Sequence, residues 1–379
     1  MMPTPPLARS AFALEPGLIY LNHAATGVLP IRARDAVVEA VQRHAAGGVL
    51  AIAAQEQAAE VTRERVAHFI GASRDDVAFI RNTSDGANIL ARGLDWRPGD
   101  EIVISDNEFG ANAYPWLALR EYGVVVRMIE TARERMTPDV LARLMTPRTK
   151  VVSVSWVSFA DGYRHDLGAL CAVAHDGGAL FFVDAIQALG AFPIDVGALA
   201  IDALFSGGHK WLLSLPGLGI LYVTQALRER LSVRLPGWRS VENIWNFLNY
   251  DQPWAPNASR YESGAQNLLG AIALRHALEV LSEADVTKIA EHVVKLTEYL
   301  VDRLASLGIS AVSMRGPGIS SGIVTIWPRG DDPTEIGRRL QHKAKIVTTY
   351  RPNGIRLSPH GYNTFQEIDA FVDGIAVVR

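Results

Sequence analysis

Along the chain, short continuous apolar runs alternate with stretches of helical spacing. "EIVISD" (101–106), "VVVRMI" (124–129), "KVVSVSWV" (150–157), "ALFFVD" (179–184) and "DALFSG" (202–207) are short, predominantly apolar runs that do not alternate between an apolar and a polar face. Between most of them stand amphipathic patterns such as "TPDVLARLM" and "LGALCAVAH". Strands apolar on both faces, alternating with helices, predict a mostly parallel, doubly wound α/β sheet covered on both sides. "GLGILYV" (217–223) adds one more strand, and residues 30–46 and 55–70 carry helical spacing ahead of the sheet. Residues 235–263 break the alternation with Trp, Asn and Pro and are expected to form a long connecting loop. A long helical region (267–306) follows, then a unit with "SGIVTIW", a helix near 333–345, "GIRLSP" and a final helix. The organisation predicted is a large α/β domain over 15–260 and a smaller C-terminal α+β domain over 261–379, with residues 1–30 associated with the latter.

Composition narrows the class. With 379 residues, 49% hydrophobic and 20% charged, the chain can bury a sizeable core. A net charge of −3 with scattered Lys and Arg gives no basic stripe, so no nucleic-acid partner is expected. No apolar run approaches the ~18 residues of a membrane span, and no charged leader precedes an apolar one. The lone cysteine, Cys171, excludes an internal disulfide and fits a reducing compartment, so the expected location is the cytoplasm. The histidines contain no H-E-x-x-H, and no metal site is expected.

Unusual polar residues gather where the predicted strands end, which is where doubly wound sheets bind ligands. "ALFFVDAIQ" delivers Asp184 and Gln187; "DALFSGGHK" delivers Ser206, His209 and Lys210; "EIVISDNEFGAN" delivers Glu108, Phe109 and Asn112. Thr83 and Ser84 in "RNTSDGAN" stand where N-cap hydroxyls belong, at the start of a helix over 85–94. One ligand accounts for all of them. A helix N-terminus with hydroxyls suits a phosphate, Phe109 a flat ring, Asp184 a protonated ring nitrogen and Gln187 a ring hydroxyl. A lysine whose pKa is lowered by burial suits a carbonyl held covalently and reversibly. That ligand is pyridoxal 5′-phosphate, with Lys210 as the Schiff-base lysine.

"VDAIQALG", whose Asp lies 26 residues before the Lys of "FSGGHK", resembles the class V aminotransferase family, which includes the cysteine desulfurases and isopenicillin-N-epimerase-like proteins. "YLNHAATG", "RNTSDGAN", "NEFGAN", "YESGAQN" and "GIRLSPHGYNT" extend the resemblance over nearly the whole chain, in order. It implies the PLP fold type I, a homodimer with active sites at the subunit interface and a small-molecule amino-acid substrate. Residue by residue it implies a catalytic set of Lys210, Asp184 and His23. It implies cofactor contacts from Thr83, Ser84, Phe109, Gln187, Ser206, His209 and Gln266, and substrate contacts from Arg356, Asn22 and His23. Arg356 in "GIRLSP" matches the arginine that grips the substrate carboxylate through a planar fork. Arg164 and Arg351 either help to hold substrate or brace loops. Trp238, Trp245 and Trp254 either pack or form a substrate wall.

Three departures matter. Ala265 stands where relatives often place a threonine that reaches the partner's phosphate. Trp156 stands where desulfurases often carry asparagine. No cysteine lies in 340–356, where desulfurases carry their persulfide nucleophile, and Cys171 falls in an apolar helix. The first expectation is therefore transamination at Cα of an α-amino acid; the alternatives are β-elimination by a C–S lyase, with His23 as the acid beside Cβ, or epimerisation. A non-enzymatic regulator would need an extra DNA-binding segment, and no spare segment exists.

Overall fold

The computed structural model describes residues 3–328, 332–352 and 354–378; residues 1–2 and 379, at the ends of the expected domain spans, lie outside them. In chain order the helices are α1 (Ile31–Gly47), α2 (Val49–Ile70), α3 (Thr83–Gly93), α4 (Tyr114–Leu117), α5 (Pro138–Leu144), α6 (Leu167–Asp176), α7 (Gln225–Arg228), α8 (Leu268–Glu283), α9 (Val286–Ala305), α10 (Pro333–Ala344) and α11 (Phe365–Val378). The central sheet holds β2 (Val77–Ile80), β3 (Glu101–Ser105), β4 (Val125–Ile129), β5 (Thr149–Ser155), β6 (Leu180–Asp184), β7 (Ala203–Gly207) and β8 (Gly219–Val223). β1 (Ile19–Tyr20), β9 (Ser310–Ala311), β10 (Val324–Trp327), β11 (Ile346–Val347), β12 (Thr349–Arg351) and β13 (Gly354–Leu357) build the remainder.

The large sheet runs β2-β8-β7-β6-β5-β3-β4, and β8 alone is antiparallel to its neighbours. The other six strands point the same way, so β2, β3, β5, β6 and β7 all end on one edge. Side-chain alternation explains why these strands read as unbroken apolar runs. Phe181, Val183 and Leu204 enter the core shared with α2, α6 and α8. Phe182, Phe205 and Leu221 enter the opposite core with Leu90 and Trp116. β2 is a strand the sequence pattern did not mark: four apolar residues are too few to separate from a loop.

A third core, from Leu296, Leu300, Val324, Ile326, Leu340, Ile355 and Phe371, belongs to the smaller unit. There an antiparallel sheet β12-β13-β10-β9 packs under α9, α10 and α11, and β1 pairs in parallel with β11. Past residue 261 the chain still returns to the large sheet. α8 packs on α1 and α2, and its Leu274, Leu278 and Leu281 lie in the core of the large sheet. The helical region read as continuous over 267–306 breaks at Asp285, whose φ of 67° ends α8 and whose carboxylate caps α9 through the Thr287 N–H. The second helix begins at Val49 rather than 55, straight after Gly48 with φ of 52°. Among the described residues no helix is long and apolar enough to cross a membrane, and no His/Cys/Asp/Glu cluster is arranged for a metal ion.

Candidate active site

The site lies beyond the common strand edge. β7 leads into a tight turn through Gly208, where the Ser214 N–H donates to Gly208 O (2.9 Å), the Leu213 N–H to Lys210 O (3.0 Å) and the Gly208 N–H to Leu218 O (2.9 Å). Gly27 of the N-terminal segment closes on the same turn, its N–H donating to His209 O at 2.8 Å. A Cβ at Gly27 would stand 2.1 Å from the Lys210 carbonyl oxygen, so only glycine permits this approach. Lys210 is thereby held inside the protein, 9% exposed, with Nζ 5.5 Å from the centroid of the Phe109 ring. Burial lowers its pKa to about 8; Asp184 opposes the shift and Arg356 adds to it.

Asp184 ends β6, is 1% exposed and accepts the Ile186 N–H at 3.0 Å through Oδ1. Its Oδ2 is buried without any partner. Desolvation raises this carboxyl to about 6, against the pull of the Ile186 N–H and Lys210. One strand over, half-buried Glu108 caps the end of β5 by accepting the Ser155 N–H at 2.8 Å and the Ser155 hydroxyl. Burial pushes Glu108 up to about 7, with Asp184 contributing to the rise. Phe109 follows, 45% exposed, its ring set edge-on to Phe159 at 5.2 Å.

On the smaller unit, Arg356 of β13 is buried. Its Nη1 donates to Phe159 O (2.9 Å), its Nη2 to Thr349 Oγ1 (3.4 Å), and its Nε has no partner. Thr349 Oγ1 in turn donates to Asn22 Oδ1 at 2.7 Å, so Asn22 sits behind the guanidinium as a brace. Thr349 and Phe159 belong to this assembly although neither carried a sequence signal; their contacts arise only from the fold.

Several expected roles change. His23 is not an acid beside the substrate: it is fully buried, Nδ1 donates to Ser358 O (2.9 Å) and Nε2 accepts the Tyr362 hydroxyl (3.0 Å). With both ring nitrogens engaged and burial driving its pKa down, it is a neutral structural imidazole. Ser206 lies inside β7, 1% exposed, its hydroxyl donating to Gly207 O, which leaves nothing directed at a phosphate. The helix expected over 85–94 starts at Thr83, and its N-cap is Asn82, which accepts the Asp85 N–H at 2.9 Å. Thr83 and Ser84 instead occupy the first turn, where backbone N–H groups have no intrahelical acceptor. Gln266 donates to Glu262 of its own chain, and Glu262 is anchored by Arg63 (2.6 Å). Gln187 is spent in part, accepting the Trp211 indole N–H and donating one N–H to Ala24 O, both at 3.0 Å, which leaves its second amide hydrogen. His209 is half-buried with its ring against Gly207. Arg164 braces, donating to Ser320 O at 3.0 Å with its guanidinium over Phe192. Trp156 packs on Phe192 in the core.

The residues present fit pyridoxal phosphate. An orphaned buried carboxylate oxygen suits a ring N–H, the first turn of α3 suits a phosphate, and the Lys210 amine lies 5.5 Å from the centroid of an aromatic ring.

Residues 19–371 match the family model described as aminotransferase class-V. A probable cysteine desulfurase of Methanothermobacter thermautotrophicus is 31% identical over 81% of this chain and 80% of the relative. An uncharacterized aminotransferase of Bacillus subtilis, YcbU, is 31% identical over 83% and 82%. Among solved structures, the apo cysteine desulfurase from Thermococcus onnurineus NA1 superposes with a TM-score of 0.88 at 26% identity, covering 100% of this chain and 99% of that one. The cystine C–S lyase C-DES, in complex with cysteine persulfide, shares the fold with a TM-score of 0.87 at 23% identity, covering 94% and 97%.

Proposed function

The chain belongs to the class V aminotransferase family of pyridoxal-phosphate enzymes, and from that premise we propose that it cleaves a C–S bond by β-elimination from a cysteine-type α-amino acid. The observation that carries this reading is the placement of the only thiol. Cys171 is buried in α6, donates to Ala200 O at 3.4 Å, and has its pKa pushed up to about 12 by burial. A sulfur acceptor so placed cannot carry a persulfide in the site. Relatives named for breaking the C–S bond of cysteine therefore have their counterpart here in a direct elimination.

Pyridoxal phosphate, when bound, supplies an electron sink for the pair of electrons released at Cα. Asp184 Oδ2 would hold the ring nitrogen, the first turn of α3 the phosphate, Phe109 the ring face and Lys210 the aldehyde carbon. Arg356 would take the α-carboxylate and so set which Cα bond stands perpendicular to the ring. Lys210, tuned toward neutrality, then accepts the Cα proton. The thiolate that departs from Cβ has an ordinary pKa of about 8.5 and needs no acid beside it. The loss of His23 from the acid role is therefore compatible with this reaction. The balance is substrate plus water to pyruvate, ammonium and a thiol.

The active form is proposed to be a cytoplasmic homodimer. Support for the dimer comes from exposed apolar side chains: Leu248 and Tyr250 are 86% and 91% exposed, and Val49 and Leu50 are 80% and 84% exposed. Sedimentation at micromolar concentration should give twice the chain mass.

The holoenzyme supplied with cysteine S-conjugates should release pyruvate, ammonia and thiol in equal amounts, and Cys171→Ser should retain the rate within about twofold. A 2-oxo acid that keeps the substrate side chain would mean transamination instead, and abolition by Cys171→Ser would mean desulfuration.

A further inference from the structure

β12 and β13 form an antiparallel pair in which Thr349 faces Arg356 and Arg351 faces Gly354. Side chains alternate along a strand, so Thr349, Arg351 and Arg356 emerge on one face. That face is turned to the site: Arg356 reaches Phe159 O and lies within electrostatic range of Lys210. Arg351 is exposed beside it and repels it, and together with burial this lowers the Arg356 pKa.

The other buried arginines differ. Arg63 pairs with Glu262, and Arg228 with Asp76. Arg356, equally enclosed, donates only to a carbonyl and a hydroxyl and keeps an orphaned Nε. Among the described residues no carboxylate forms an ion pair with Arg356 or with Arg351. Burying a guanidinium without an acid is costly, and placing a second cation on the same face adds to that cost. A substrate α-carboxylate neutralises one of the two charges and leaves the other.

We propose that Arg351 receives a second acidic group, so that the substrates are α-amino acids whose side chain carries a carboxylate or sulfonate beyond the bond that is broken. This rests on the elimination reading for its chemistry but not for its charge count. Recognition would run outward from Lys210 at Cα, through Arg356 at the α-carboxylate, to Arg351 at the rim. Arg351 acts here as a specificity residue, not as a carrier of the reacting proton.

The test uses an isosteric pair, S-carboxymethyl-L-cysteine and S-carbamoylmethyl-L-cysteine, which differ only by acid against amide. The wild-type holoenzyme should favour the acid about tenfold in kcat/KM, the discrimination worth one charge-assisted contact. Arg351→Gln should bring the ratio to about one, and Arg351→Lys should restore most of it. A wild-type ratio near one, or a ratio that Arg351→Gln leaves intact, overturns the proposal. The same ratio is read as Kd by titrating the bound chromophore with each compound, which requires no turnover. Selectivity in binding without pyruvate release would uphold Arg351 and overturn elimination.

Discussion

Two carboxyls and an amine share the strand edge, and their order decides the electrostatics. Asp184 stands next to Lys210, while Glu108 stands one strand further along, bonded to Ser155 and facing Asn112 and Asp184. Between about pH 6 and pH 7 Glu108 still holds its proton while Asp184 is already ionised. The negative charge is thereby concentrated where a ring nitrogen would meet it. Since folding raises Glu108 above its ordinary 4.5, its contribution to stability is present below 4.5 and is lost as pH rises through about 7. Asp184 acts in the same sense, whereas the buried His23, His165 and His360, all lowered, withdraw stability as pH falls below 6.5. Glu108→Gln removes one contribution and leaves the others. In the cofactor-free protein, its melting temperature should fall less than that of wild type between pH 5.5 and 8, as read by scanning fluorimetry. Parallel curves would show that Glu108 does not titrate there.

The turn that carries Lys210 is built from two directions, by β7 and by Gly27. A methyl group at Gly27 would collide with the Lys210 carbonyl, which is backbone and cannot swing aside. Gly27→Ala should therefore cost about 1–3 kcal/mol in denaturant titration and reduce cofactor retention, since relief of the overlap displaces the lysine. Elements of this kind differ in how legible they are. β3, β5, β6, β7 and β8 were readable because burial on both faces removes polar residues from the strand, and Asp184 and Lys210 were readable because they interrupt such runs. The break at Asp285 was not, because a positive-φ residue that is not glycine carries no local mark. Sequence alone does not separate Asn82 from Thr83 and Ser84 as the cap, because all three residue types can cap and only the hydrogen bond decides. Ser206 and His23 have the residue types of a site, but their partners, Gly207 O, Ser358 O and Tyr362, are set by packing that local sequence does not encode.

At the scale of the molecule, the smaller unit is fastened to the large one through buried polar contacts around Trp211. His360 Nε2 donates to Trp211 O (3.1 Å) while its Nδ1 accepts the Gly361 N–H (2.7 Å), which fixes the tautomer. His23 joins Ser358 to Tyr362, and Tyr362 stacks obliquely on Phe12 at 4.4 Å. Tyr362→Phe keeps the ring and orphans the His23 Nε2, a buried acceptor whose loss of partner costs about 1–3 kcal/mol. Its unfolding midpoint should drop accordingly, and an unchanged midpoint would mean that the hydroxyl contributes nothing to the join. The N-terminal segment is the thread through this junction. Residues 22–24 bond Ser358, and Gly27 bonds His209. A chain still emerging from the ribosome has already made its lysine turn but lacks the distal residues that seat the first thirty. A chain truncated before Ser358 is therefore expected to leave that segment unseated and, through Gly27, to loosen the lysine turn, which weaker uptake of the cofactor's colour would register.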